Sequence, residues 1–488
     1  MLVDRLSPLD EAFLRIESEA AHMHVGWTLL AEGEPPDIEE LRAHVGARLE
    51  LLPRFRRCAL SSVLHDPMWV DHSEFDLSYH VTHMSFPRPA ELSELRALAG
   101  ALLSERLDRR RPLWRLHLVD GLRDGGFAIV GRAHHALVDG ISAVEVAQLL
   151  LDVDPHAREN KPAVWEPSVA PPLALKALAT IADRTRLARR TGLFALRTLA
   201  NPGVVTEGAA AVRRFASALA PVATAAPRTA FNRAIGPRRT VAFAELSLPA
   251  AQTVARRRGA TVGDVVLATA ALALGRALRR AGESHPWLRT MVPVNTRPRD
   301  ARAELGNRIS FVFVELPVGQ RRPSAALDEV ARQMGEHKRS GNAGALDGVL
   351  RMARFAPLPL RDLIAWLATR PQTCNTVVSN IPGPRQPLYV LGRPLRAAYP
   401  AVPLARGHGL SVGVLSYRDV LHVGLYADPG VIPDLEEVAR DFRCSFDALR
   451  FAVAPRPPEP ASPEPPEPPE PAVREPSALT GWRADVLV

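Results

Sequence analysis

Apolar and polar positions alternate from Trp114 to Val119, stop at Asp124-Gly125-Gly126, and resume from Phe127 to Ala133. A period of two interrupted by a glycine turn predicts a β-hairpin. Just beyond it, Ile141, Val144, Ala147 and Leu151 recur at helical spacing and predict a helix with one buried face. Ser7-Pro8-Leu9-Asp10 reads as a helix start, with Ser7 as cap, Pro8 in the first turn and Asp10 where a capping acid belongs. Thr261-Val262-Gly263-Asp264 gives the same kind of signal ahead of an apolar helix running through Val265, Leu267, Ala271 and Leu278. Further helices are predicted near 37–51, 90–107 and 433–450. Short strands are predicted at Met68-Trp69-Val70, Tyr79-His80-Val81, Thr290–Val294, Ser310–Glu315 and Thr376–Ser379, with a second hairpin at Leu410–Ser416 and Val420–Tyr426.

These elements divide into two mixed α/β units, 1–153 and 229–452, of similar size. Between them, 154–228 opens with prolines at 155, 162, 167, 171 and 172. It continues as a basic amphipathic stretch, Leu173 to Leu199, with Arg184, Arg186, Arg189, Arg190 and Arg197. This segment reads as an interdomain crossover, its basic face being either a solvated cover over the junction or a membrane-surface helix. The end, 453–488, is rich in Pro and Glu and is expected to stay extended and solvated. A site between the two units is a natural place for catalysis.

Composition narrows the partners. The chain has 488 residues, 47% hydrophobic and 23% charged, as in soluble globular proteins. A net charge of +8 asks for an anionic partner, yet only Lys161, Lys176 and Lys338 are lysines among the 61 basic residues. Such a bias toward Arg, beside abundant Ala and Pro, weakens any argument that arginine was placed for phosphate recognition. No basic helix interleaved with aromatics occurs, which argues against nucleic acid. Coenzyme A, with its three phosphates, is a simpler anionic partner. Cys58, Cys374 and Cys444 are widely separated, without metal or disulfide spacing, and fit a reducing, cytoplasmic compartment. Met1-Leu2-Val3-Asp4-Arg5 lacks the pattern of a signal peptide, and no stretch of ~18 apolar residues predicts a membrane span.

The chemistry lies at His134-His135-Ala136-Leu137-Val138-Asp139-Gly140, where the hairpin's returning strand ends. Adjacent strand residues point to opposite faces, so one histidine faces a cleft while the other packs. That opposes a metal site and fits one general base with a buried neighbour. A neutral imidazole, titrating near pH ~6.5, accepts a proton from an alcohol at neutral pH. Gly140 frees the backbone for a tight turn, and Asp139 is placed to hold that turn through an arginine or a backbone amide. By spacing alone, the pair reads equally well as satisfied core histidines.

A resemblance decides between these. The segment is similar to the HHxxxDG motif of the superfamily of chloramphenicol acetyltransferase, carnitine acyltransferases and peptide-synthetase condensation domains. Leu6-Ser7-Pro8-Leu9-Asp10 with Phe13-Leu14, Met23-His24-Val25-Gly26, Pro53-Arg54-Phe55-Arg56 and Arg111-Pro112-Leu113-Trp114 resemble one branch, the bacterial wax ester synthase/acyl-CoA:diacylglycerol acyltransferases. So do Gly263-Asp264-Val265-Val266-Leu267-Ala268, Val292-Pro293-Val294-Asn295, Gly306-Asn307-Arg308 and Ser379-Asn380-Ile381-Pro382-Gly383-Pro384, in the family's order. Gly263 departs from the family, which usually has Asn before that Asp.

The resemblance implies two chloramphenicol-acetyltransferase-like domains with a substrate tunnel meeting at the histidine. It implies His135 as general base, His134 as its motif partner, Asp139 as loop support and Gly140 as the turn. It implies a long-chain acyl-CoA as substrate rather than cofactor, no metal, and diacylglycerol or a fatty alcohol as acceptor. Peripheral association with a membrane or lipid-inclusion surface is expected as well. Asn295, Ser379 and Asn380 are polar residues at strand ends, read either as oxyanion stabilisers or as ordinary loop residues. Two other readings stand beside this one: a carrier-protein-dependent condensation-type or polyketide-associated acyltransferase, and a non-catalytic lipid-droplet or membrane-surface protein.

Overall fold

In the computed structural model the described residues are 4–60, 67–138, 149–156, 165–168, 224–295, 309–340 and 372–454, with a few isolated positions between them. The strands are β1 (His24–Ala31), β2 (Arg57–Leu60), β3 (Met68–Asp71), β4 (Val81–Ala90), β5 (Trp114–Leu122), β6 (Phe127–His134) and β7 (Thr240–Ser247). They continue as β8 (Leu288–Asn295), β9 (Ile309–Leu316), β10 (Thr376–Ile381), β11 (Tyr389–Val390), β12 (Arg393–Ala401), β13 (Leu410–Tyr417) and β14 (Val420–Ala427). Two six-stranded sheets result, ordered β11-β12-β1-β6-β5-β4 and β7-β14-β13-β10-β8-β9, with β2 and β3 as a separate pair. The fold class is mixed α/β, as the alternation of hairpins and helices implied.

Both predicted hairpins form, as β5–β6 and β13–β14. The helix Pro8–Ile16 starts with a capping box: the Asp10 N–H donates to Ser7 Oγ at 3.1 Å and the Ser7 N–H to Asp10 Oδ2 at 3.2 Å. Thr261 and Asp264 make the same reciprocal pair at the start of Val262–Arg280. One expected strand is corrected. Tyr79 and His80 belong to a helical turn, Leu77–His80, because the Asp76 carboxylate accepts the Ser78 N–H at 2.8 Å and starts a turn there. The strand begins only at Val81.

Alternation along β6 separates two cores. Ile129 and Ala133 face one side, with Leu41 and Val45 of Ile38–Arg48, while Ala128 and Val130 face the other, with Leu95 and Leu103 of Leu92–Ser104. Trp114 is fully buried in the first core, its indole N–H bonded to the Phe55 carbonyl at 2.8 Å.

The segment assigned by sequence to the second unit, 229–452, does not keep its strands to itself. Its β12 pairs with β1 and so completes the first sheet. Pro400 of β12 then sits directly on β13 and β14. A Cβ at Gly424 would stand 2.0 Å from the Pro400 carbonyl oxygen, and one at Gly413 would stand 2.9 Å from the Pro400 ring. These glycines face each other across β13–β14, so the sheets meet where side chains are missing. Nearby, Phe243 of β7 stacks on Tyr399 of β12 with centroids 4.0 Å apart. No single described helix is long and apolar enough to cross a membrane.

Candidate active site

The His24↔His134 pairing is at the end of the β1–β6 ladder, and His135 is the first residue past the strand. His134 lies buried on the face shared with Val130. Its Nδ1 accepts the Ala136 N–H at 3.1 Å. A ring nitrogen that accepts carries no proton, so neutral His134 holds its proton on Nε2. The Leu137 N–H donates to the His134 carbonyl at 2.8 Å, closing the turn. His134 is therefore a peg for the turn that carries His135.

His135 is only partly buried, and two neighbours hold it. Its backbone N–H donates to the Met23 carbonyl at 2.9 Å. Its ring stacks on Phe13, centroids 4.0 Å apart and planes 16° apart. Its Nδ1 is enclosed and finds no partner among the described residues. Burial lowers its proton affinity to about pH 4, offset in part by an interaction with its own backbone. That displaces the sequence expectation of a titration near ~6.5, since a free imidazole is fully hydrated and this one is not. His134 is lowered to about 3, by burial first and then by His135 and Arg109. At neutral pH both rings are uncharged.

Behind the pair is a polar layer that the sequence did not single out. His24 meets His134 edge-on at 6.0 Å and His22 lies 5.5 Å from His24. His24 is held well below its usual range by burial, then by His134 and His22. The enclosed carboxylate of Glu17 stands 3.9 Å from His24 Nε2 and accepts from Arg109 Nε at 2.6 Å. Phe13 and His24 were visible as members of recognisable segments. Nothing in their spacing announced that they meet the histidine pair.

The other expected residues fall elsewhere. β8 and β10 are parallel, with Thr376 opposite Thr290, so Asn295 and Ser379-Asn380 lie toward the same end of the second sheet. Ser379 is buried and Asn380 half-buried. Asn380 Nδ2 comes within 3.6 Å of where a Cβ at Gly263 would stand, so it borders the helix start at the family's Asn position. Among the described residues, no hydrogen bond or ring contact joins Ser379 or Asn380 to either histidine. The Asn295 side chain, Asp139, Gly140, the linker core and the tail from 455 lie outside the described residues. Two cavities, of about 280 and 80 Å³, are lined by His72, Asp108 and Arg111 and by Leu278, His285 and Arg321 among others, and neither includes His134 or His135. Among the described residues no group of three or more His, Cys, Asp or Glu is arranged to hold a metal.

The chain is similar to known proteins in sequence and fold. Residues 6–266 match the wax ester synthase/diacylglycerol acyltransferase catalytic domain, and 305–450 match the C-terminal domain of the same family. The probable diacylglycerol O-acyltransferase tgs1 of Mycobacterium tuberculosis is 31% identical over 453 residues, 90% of this chain and 94% of its own. The tgs2 protein of that organism is 31% identical over 468 residues, 92% of this chain and all of its own. The solved wax ester synthase/diacylglycerol acyltransferase of Marinobacter aquaeolei VT8 superimposes with a TM-score of 0.64 at 26% identity, covering 92% of this chain and 99% of that one. A starter condensation domain of rhizomide synthetase, at 15% identity and a TM-score of 0.58, shares the fold. The protein is thus an acyltransferase. The chain belongs to the wax ester synthase/diacylglycerol acyltransferase family.

Proposed function

We propose that the protein transfers a long-chain acyl group from acyl-CoA to a lipid alcohol, with diacylglycerol as the preferred acceptor and fatty alcohol as a second, and that His135 is the general base. The observation that carries the residue assignment is the contrast within the pair. His134 is sealed in and spends Nδ1 on Ala136, whereas His135 is half-buried, its backbone N–H held by the Met23 carbonyl and its ring stacked on Phe13. With Nδ1 enclosed, Nε2 is the nitrogen that takes the hydroxyl proton. The alkoxide attacks the thioester carbonyl, the tetrahedral intermediate collapses, and the imidazolium returns the proton to the departing CoA sulfur. Asn295, Ser379 and Asn380 stand as oxyanion candidates because strand ends of one sheet gather them, and Asp139 with Gly140 as the turn's support. Acyl-CoA enters as substrate, with no prosthetic group required by these steps.

Peripheral attachment to a membrane or lipid inclusion in the cytoplasm belongs to the same reading, supported by the basic amphipathic run through Arg184–Arg197. The division into 1–153, 154–228, 229–452 and 453–488 is retained as a proposal for how these roles are distributed. The test is product analysis of purified protein with palmitoyl-CoA and either dioleoylglycerol or hexadecanol. Triacylglycerol is expected as the main product, and His135→Ala should lose ~10²–10⁴ in rate while remaining folded. A fully active His135→Ala protein would remove the assignment.

A further inference from the structure

The acyl-transfer step asks His135 to become an imidazolium in a place where burial opposes charge. Among the described residues no carboxylate forms an ion pair with it. The described titratable groups on the elements around it are His134 beside it, His22 and His24 before and in β1, Glu17 at the end of Pro8–Ile16, and Arg106 and Arg109 after Leu92–Ser104. Asp10, Glu11 and Arg15 share the helix of Phe13, with Glu11 paired to Arg15 at 2.8 Å. What does lie flat on the His135 ring is Phe13, at 4.0 Å and 16°. A neutral imidazole gains ordinary stacking there. An imidazolium gains in addition from the negative face of the ring.

Phe13 is not free to drift. Its helix is fixed at the start by the Ser7–Asp10 capping box and at the end by Glu17, whose backbone N–H donates to the Phe13 carbonyl at 3.2 Å and whose carboxylate is held by Arg109. The ring is thus presented to His135 by an anchored element.

Taking His135 as the base, we propose that Phe13 is a positioning residue that raises the proton affinity of His135 during acyl transfer, through the aromatic face it holds against the imidazolium. The added attraction exists in the charged form only, so it acts on kcat and on the acid side of the rate profile, and leaves acyl-CoA affinity alone.

The experiment compares full-length wild type, Phe13→Leu and Phe13→Tyr with palmitoyl-CoA and dioleoylglycerol. It uses short assays after rapid transfer to each pH between 3 and 8, with folded fraction checked by thermal unfolding. Phe13→Leu should lower kcat roughly three- to thirtyfold, leave the KM for palmitoyl-CoA within about twofold, and move the acid limb to lower pH by about half a unit or more. Phe13→Tyr should restore both. An acid limb that stays in place or rises in Phe13→Leu overturns the proposal, as does equal loss in the Leu and Tyr variants, which would mean packing alone. If Phe13→Leu does not fold, Phe13→Met with the pH dependence of His135 carbethoxylation, read by peptide mass, asks the same question without turnover. An active His135→Ala protein would instead remove the base itself, a separate failure from an unmoved limb.

Discussion

The Met23 carbonyl accepts the His135 backbone N–H at 2.9 Å, and Met23 reaches this position with a φ of 50°. A left-handed backbone is uncommon for a residue with a side chain and costs on the order of 1 kcal/mol or more. The buried Met23 side chain and the β1–β6 ladder hold it. The bond adds one rung past His24↔His134 while the chain bends out of the sheet, and so His135 leaves the strand with its backbone satisfied and its ring free to meet Phe13.

Burial places the protonation of His135 at about 4, so the free-enzyme rate profile should be flat from neutrality to about pH 5. With His135 as the proposed base, it should fall only as pH approaches 4, where the ring becomes protonated. Initial rates after rapid transfer to each pH, at low substrate, report this directly. A limb centred on ~6.5 would show instead that the ring is hydrated in solution.

His134→Ala should act through the turn. It removes the acceptor of the buried Ala136 N–H, and an unsatisfied buried donor costs roughly 1–3 kcal/mol. Loss of thermal stability together with a smaller fall in rate than His135→Ala is expected. A His134→Ala protein with wild-type stability and no turnover would assign the chemistry to the wrong ring.

Acid should destabilise the fold before it stops the chemistry. His22, His44, His80, His135 and His422 are lowered to about 4, and His117 and His134 to about 3, each chiefly by burial. Their folded values lie below the unfolded value near 6.5, so between these limits the unfolded chain binds more protons. Stability is therefore complete above ~6.5 and declines as pH falls toward 4. Urea midpoints at pH 7 and pH 5 should differ clearly. Equal midpoints would contradict the burial of these rings.

Gly424→Ala should be among the most damaging small substitutions. Its new methyl would stand 2.0 Å from the Pro400 carbonyl oxygen, a backbone atom that cannot swing aside. Overpacking of this kind costs ~1–3 kcal/mol or more. Gly263→Asn, where the nearest atoms to a Cβ are 3.5 and 3.6 Å away, should be tolerated, and thermal unfolding of the two variants gives the comparison.

Much of this protein was legible in its sequence because the signals are local. The Ser7–Asp10 and Thr261–Asp264 boxes, the two hairpins and the position of His134-His135 at a strand end depend on residues within a few places of one another. The family resemblance added the reaction class. What sequence did not decide depends on long-range pairing. That β12 leaves 229–452 to complete the first sheet is set by its hydrogen bonds to β1, more than 360 positions away. That Phe13, Glu17, Met23 and His24 gather around the histidines follows from the His24↔His134 register, which brings residues from the chain's start onto the end of β6. The lowered proton affinity of His135 follows in turn from that burial. A residue's type gives its chemistry, but only the packed fold decides how much water it keeps.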